Sequence, residues 1–208
     1  MLATEQSLST IIRERHSVRK YDPNYTISQE EIKAILSEAT LAPSSSNMQP
    51  WKFIVFQDNE IKKELRVIAN NQEQVETSSA VIAVLGDKEM YRNAEKVYGS
   101  AFNAGQMDEE TMSKMIENTI KLYSSAPEHI RANIASFDAG LISMQLMLIA
   151  KAKGYDTVPM GGFNKQQFIE RFEVSERYFP VVLIALGKAA APARQTTRLP
   201  LEDVVSFI

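Results

Sequence analysis

The first stretch of the chain whose residue types could do chemistry is Arg15-His16-Ser17-Val18-Arg19, with Tyr21-Asp22-Pro23 directly behind it. In an extended backbone, side chains alternate. Arg15, Ser17 and Arg19 then share one side, and His16 and Val18 the other. In a helix, Arg15 and Arg19 are still neighbours at i and i+4. Both geometries converge two guanidinium groups, and the extended one adds a hydroxyl. A phosphate suits that arrangement, because each arginine offers a rigid fork of donors that matches phosphate oxygens. On spacing alone, a solvated basic turn with Asp22 as its local partner is the commoner outcome.

Four further stretches carry comparable potential. Pro43-Ser44-Ser45-Ser46-Asn47-Met48-Gln49-Pro50-Trp51 is a proline-flanked loop of small hydroxyl and amide residues, rich in exposed donors. It also reads as an ordinary serine-rich turn. Asn71-Gln72-Glu73-Gln74-Val75 offers amides that both donate and accept, as the edge of a heteroaromatic ring requires. Val158-Pro159-Met160-Gly161-Gly162-Phe163 has paired glycines that would let backbone approach a flat ligand, or simply make a tight turn. Arg194 to Arg198, ahead of Leu199-Pro200, is a late basic pair in a mildly acidic protein.

Composition narrows the chemistry. The 208 residues suit one domain with a sizeable core. A net charge of -3 gives no global field that favours nucleic acid or an acidic membrane surface. The absence of cysteine removes disulfides, thiolate nucleophiles, Cys-rich zinc sites and iron–sulfur ligation together. With only His16 and His129, a multi-histidine metal site is excluded, and no metal is expected. Redox chemistry would need a bound cofactor to hold the electrons. The paired acids Glu30-Glu31 and Glu109-Glu110 read as solvated helix charges, not as a hydrolytic pair. Met1 to Gln6 lacks the basic-then-apolar order of a leader, and no unbroken apolar run reaches the ~20 residues of a membrane span. The expectation is a cytoplasmic protein with no membrane partner.

The elements that must position these stretches follow from periodicity and punctuation. Ser7 to Arg15 reads as a short helix. Ser28 with Glu31 is a capping box that opens a helix to Thr40, stopped by Ala42-Pro43. Trp51 to Gln57 reads as a strand, and Asp58 or Asn59 caps a helix to about Ala69. Asn70 to Ser79 reads as irregular. Ala80 to Leu85, ending at Gly86, is a buried strand. Met90 to Tyr123 is helical, broken near Gly105 to Asp108. Pro127 starts a long helix to about Lys153 whose second half is apolar nearly all round, which predicts a central buried helix ended by Gly154. Tyr155 to Pro159 is a short strand, Asn164 to Phe172 a helix, and Tyr178 to Leu186 a buried strand closed by Gly187. The tail from Lys188 carries Leu199, Leu201, Val204, Val205, Phe207 and Ile208. It is too apolar to float free, so it needs a neighbouring subunit or its own domain as a surface.

In this order and at these intervals the stretches resemble one family, the FMN-dependent nitroreductases, from about residue 10 to the C-terminus. The carrying motifs are Arg15-His16-Ser17-x-Arg19-x-Tyr21-Asp22 and Pro43-Ser44-Ser45-x-Asn47-x-Gln49-Pro50-Trp51. Gly154-Tyr155-Asp156-Thr157-x-Pro159-x-Gly161-Gly162 supports them. The resemblance implies an α+β fold over residues 1–208 as a single domain, with a central, mostly antiparallel sheet flanked by helices. It implies a homodimer with exchanged tails (188–208) and a variable helical excursion at about 88–124. It also implies FMN as cofactor, NADH or NADPH as electron donor and a small electron-poor acceptor such as a nitroaromatic or a quinone, served by a ping-pong mechanism.

The same resemblance gives roles to residues. Arg15, Ser17 and Arg19, with His16 in the same motif, would hold the phosphate and reach toward the pyrimidine edge, and Arg198 would add a phosphate contact. Ser44, Ser45, Ser46 and Asn47 would come from the other subunit and line the flavin, with Pro43 and Gln49 counted among the cofactor-binding residues. Asn71 and Gln74 would face the ring's N1, O2 and N3 edge. Pro159, Met160, Gly161 and Gly162 would lie beside the ring, one backbone N–H reaching N5. No side chain is expected to act as an acid or base. The chain departs from the pattern at Gln74 (lysine in several members), Gly161 (glutamate in some) and Thr196 (a second basic residue in many). Other readings stay open at this level: a flavin-binding carrier or regulator with little turnover, or a relative specialised in flavin breakdown or reductive dehalogenation.

Overall fold

A computed structural model of the chain describes residues 7–208; Met1 to Gln6, where the sequence shows no leader-like order, lie outside the described residues. The elements in chain order are α1 (Leu8–Glu14), α2 (Gln29–Ala39), β1 (Trp51–Phe56), α3 (Asn59–Ile68), α4 (Glu73–Thr77), β2 (Ala80–Asp87), α5 (Ala94–Asn103), α6 (Glu109–Ser125), α7 (Glu128–Ala152), β3 (Asp156–Met160), α8 (Lys165–Arg171) and β4 (Tyr178–Gly187). Helix starts are fixed locally. Ser28 and Glu31 form the reciprocal capping box of α2, and Asp58, Asp108 and Asn164 each accept a backbone N–H at the starts of α3, α6 and α8.

The strands form one antiparallel sheet in the order β1-β2-β4-β3. β2 explains its own continuous apolar run. Val81, Ala83 and Leu85 enter a core shared with α3, α4 and α8, and Ala80, Ile82 and Val84 enter a second core under α2 and α7. A third cluster, Met48, Met90, Ala94, Tyr98 and Tyr123, seats α5 and α6 over the 44–50 loop. Beyond β3, the segment around Ser17 pairs in parallel with Thr157, Val18 N–H donating to the Thr157 carbonyl at 3.1 Å. The basic stretch is therefore extended and anchored to the sheet edge. Gly187 permits that closure: a Cβ there would lie 2.9 Å from the Tyr21 ring and 3.1 Å from the Ser79 nitrogen.

Two expectations change, and one that was left open narrows. The polar 70–79 stretch is not irregular throughout: Asn70 and Asn71, both at φ 57°, turn the chain out of α3, and buried Val75 then pins α4. Helix α7 is not buried all round. Ile130, Phe137 and Met144 are 41%, 65% and 40% exposed on one stripe, with Gly140 open beside them, opposite the face that packs into the core. By length and mean composition α7 also suffices to cross a bilayer. Arg131, Asp138 and Lys151 break the apolar run that the sequence criterion counts, and its inner face covers the sheet. Of the two surfaces left open for the tail, its own domain takes only the start, where the Ala190 N–H donates to the Lys20 carbonyl at 2.8 Å, while Leu199, Leu201, Val204 and Phe207 stay largely exposed.

Candidate functional site

The sheet edge brings Ser17 and Arg19 into a cavity of about 580 Å3, together with Lys20, Glu73, Gln74 and Arg194. Three cations and one carboxylate line it, so it favours anions. Lys20, which the same alternation would put on the side of His16 and Val18, is a correction. Val18 and Tyr21 are both 3% exposed, and two buried residues three apart break strict alternation. Lys20 therefore turns to the cavity, where its Nζ meets the Glu73 carboxylate at 2.5 Å. That contact holds the Glu73 carboxyl below the usual carboxylate range. The pair is largely solvated and contributes little to stability.

His16, counted with the phosphate-holding motif, is a second correction, although alternation already put it on the other side. It points away from this cavity, its Nδ1 donating to the Glu14 carbonyl at 2.9 Å, and lines a separate recess with Val18, Lys151 and Asp156. Arg15 is half-buried and its Nε is buried without a hydrogen-bond partner among the described residues. Arg198 is not in the cavity. It donates to Thr196 Oγ1 at 2.9 Å and the Thr197 carbonyl at 2.8 Å on the exposed tail, and Arg194 supplies the late basic residue instead.

The amide stretch is organised by residues beyond those expected. Asn70 Nδ2 and Gln72 Nε2 both donate to the Gly162 carbonyl at 3.0 Å, which fixes the paired glycines against the end of α3. Gln74 is buried; its Nε2 donates to Gln72 Oε1 at 3.0 Å and lies 3.4 Å from the Met160 sulfur. Met160 is buried, whereas Pro159 and Asn71 are exposed. A Cβ on Gly161 or Gly162 would meet nothing within 4 Å. The chain itself does not need glycine there; only something lying against that backbone would.

The serine loop lies apart from this cavity within one chain. Ser45 to Asn47 form a 3-10 turn, with φ positive at Ser46, Asn47 and Gln49 (51°, 56° and 49°). Such values are strained for residues with side chains, and neighbours must hold them. Ser44 Oγ accepts from the Gln49 N–H at 3.0 Å. Asp138, fully buried on α7, accepts from the Ser45 N–H at 2.9 Å and from Ser45 Oγ at 3.2 Å. Burial pushes the Asp138 carboxyl above its ordinary value, and the two Ser45 bonds pull against that. Ser46 Oγ shares a 2.8 Å hydrogen bond with the Tyr123 hydroxyl, and Asn93 Nδ2 donates to the Met48 carbonyl at 2.9 Å. Pro43 is exposed at the loop's start. Sequence reasoning missed Asp138; its signal was an acid well inside α7, directly ahead of the helix's apolar second half.

These residues fit an FMN-sized ligand on two counts: a cavity that favours anions suits its phosphate, and an open glycine backbone held by amides suits a flat ring. Comparison with known proteins agrees. The Nitroreductase family model matches residues 12–188. The chain belongs to the nitroreductase family. This nitroreductase is 45% identical over 198 residues to YodC of Bacillus subtilis (strain 168), a provisionally named NAD(P)H nitroreductase, covering 95% of this chain and 97% of that one. It is 31% identical over 204 residues to a CLA biosynthesis enone reductase of Lactiplantibacillus plantarum, covering 97% and 94%. Among solved structures, a provisionally assigned nitroreductase in complex with FMN from Exiguobacterium sibiricum 255-15 superposes with TM-score 0.94 at 43% identity, each chain covered in full. A provisionally assigned NAD(P)H:FMN oxidoreductase from Staphylococcus epidermidis ATCC 12228 gives TM-score 0.95 at 37% identity, covering 100% of this chain and 99% of that one.

Proposed function

We propose that this nitroreductase is an FMN-dependent oxidoreductase that takes a hydride from NADH or NADPH and passes it to a small electron-poor acceptor in the cytoplasm. The carrying observation is the cavity at the sheet edge, where Ser17, Arg19, Lys20 and Arg194 converge beside Gln74. These cations and the hydroxyl would hold the phosphate, and Arg15 would complete its charge. FMN, when bound, supplies the two-electron chemistry that none of the side chains offers. Arg19 and the Gln74 amide would meet negative charge that develops at the pyrimidine edge. Asn70 and Gln72, by fixing Gly162, would hold the backbone that borders the ring. No acid or base is required of the chain, so donor and acceptor can use the same space in turn, a ping-pong order. Nitroaromatics and quinones are the expected acceptors, and the likeness to an enone reductase adds conjugated enones.

The working unit is a homodimer. Two unpartnered apolar features support this: the Ile130, Phe137 and Met144 stripe of α7 and the tail residues Leu199, Leu201, Val204 and Phe207. Burying each tail side chain would contribute about 1.5–3 kcal/mol before ordering costs. A second copy would also bring a Ser44–Gln49 loop to the flavin, which one chain does not do for itself. Anaerobic titration of the purified protein with NADH and NADPH, followed by addition of a quinone, tests the activity. Flavin reduction followed by reoxidation is expected; a flavin that neither nucleotide reduces would contradict it.

A further inference from the structure

A second cavity, of about 490 Å3, lies between α5 and the loop from Asn47 to Trp51. Its size falls in the range of small-molecule sites, roughly 300–1,000 Å3. Helix α5 makes its floor. Val97 and Ala101 stand at i and i+4 on one face of α5, and with Ala104 just past its end they offer only short side chains, a floor suited to a planar group. Trp51 and the Asn47 and Gln49 amides make the opposite wall. That wall is held in place from α5 and the turn before it. The Tyr98 hydroxyl donates to the Ser46 carbonyl at 3.3 Å, and Asn93 donates to the Met48 carbonyl at 2.9 Å. Lys96 is the single cation among the lining residues; no carboxylate lines the cavity, and no ion pair involving Lys96 occurs among the described residues. Every other lining polar group is neutral.

We propose that this cavity is an anion-anchoring subsite for a planar reactant, which lies on the α5 floor while Lys96 meets its carboxylate or phosphate. The inference rests on the proposed function in one respect: Asn47 belongs to the loop assigned to the other subunit's flavin, so the subsite would open toward that ring. The anion has two sources, a carboxylate on the acceptor or the extra phosphate that distinguishes NADPH from NADH. An ammonium is a mobile point charge that suits either.

The test uses the holoprotein as purified, with Lys96→Gln and Lys96→Arg. Calorimetric titration with 4-nitrobenzoate and with nitrobenzene reads binding independently of turnover, and KM for NADH and NADPH reads the second source. Because Lys96 is solvated, the loss expected for Lys96→Gln is roughly three- to tenfold. It should fall on 4-nitrobenzoate but not nitrobenzene if the acceptor carries the anion, or on NADPH but not NADH if the donor does. Lys96→Arg should retain binding. Unchanged values for both anions, or equal losses for nitrobenzene and 4-nitrobenzoate, would overturn the proposal. Ser100 lines the same cavity from α5, and Ser100→Phe, which fills the space without touching charge, should weaken charged and neutral aromatics alike; full binding by that variant would also overturn it. Protein that lacks flavin would refute the proposed function, and the calorimetric comparison would still decide the subsite.

Discussion

Replacing Asp138 by Ala removes the acceptor for both Ser45 bonds. The 2.9 Å bond from the Ser45 N–H is of normal charge-assisted length, and the 3.2 Å bond from Ser45 Oγ is at the long end. Together they are worth about 2–4 kcal/mol gross. Part of that is offset, because the carboxylate is buried at a cost that its raised pKa records. A net loss of about 1–3 kcal/mol follows, which in a chain of this size is roughly 2–12 °C in Tm. The strained 45–49 turn loses its anchor on α7, so flavin affinity should fall as well. Asp138→Asn keeps the shape and one acceptor and should fall between. The pH profile gives a separate signature. An acid whose folded pKa is raised binds its proton more tightly in the folded state, so its ionisation costs stability as pH rises from about 4 through the folded value. Asp138→Asn should remove that slope. Thermal melts from pH 4 to 8 and flavin titration on the three proteins decide the matter. An unchanged Tm and flavin affinity in the Ala variant would refute the anchoring role. A lowered Tm with unchanged flavin affinity would refute the loop's placement beside the flavin.

Arg19→Ala and Arg194→Ala should each weaken FMN binding by about ten- to a hundredfold, the worth of one charge-assisted contact, with Arg198→Ala affecting it less; equilibrium dialysis with FMN checks the order, and a larger loss at Arg198 would reassign the late cation. Phe137→Arg on the exposed stripe of α7, and separately deletion of residues 196–208, should shift the protein toward monomer in light scattering; a tight dimer in both would contradict the proposed interface.

Much of the fold was legible because local signals and burial agree. The capping box at Ser28 and Glu31 marked α2, and the run from Ala80 to Leu85 marked a strand buried on both faces. The basic stretch was half legible: its spacing left helical and extended readings open, and the extended one put Ser17 and Arg19 on one side and His16 on the other, as found, but also Arg15, which does not line the cavity. What failed depends on partners remote in sequence. Lys20 is drawn to Glu73, fifty-three residues away, and α4 has too few apolar residues to announce itself. The exposed stripe of α7 could not be read, since apolar periodicity does not say whether a face is buried by its own chain or by another. Asp138 showed only as an acid inside α7; what it holds could not be read, because its partner, Ser45, lies ninety-three positions away.

The central claim is that the sheet-edge cavity holds FMN. The most direct measurement is the visible spectrum of the purified protein, with chromatography of whatever denaturation releases. The expected result is a yellow protein that releases FMN, not riboflavin or FAD, since the cavity's cations select a terminal phosphate. Colourless protein that also fails to bind added FMN would contradict the account.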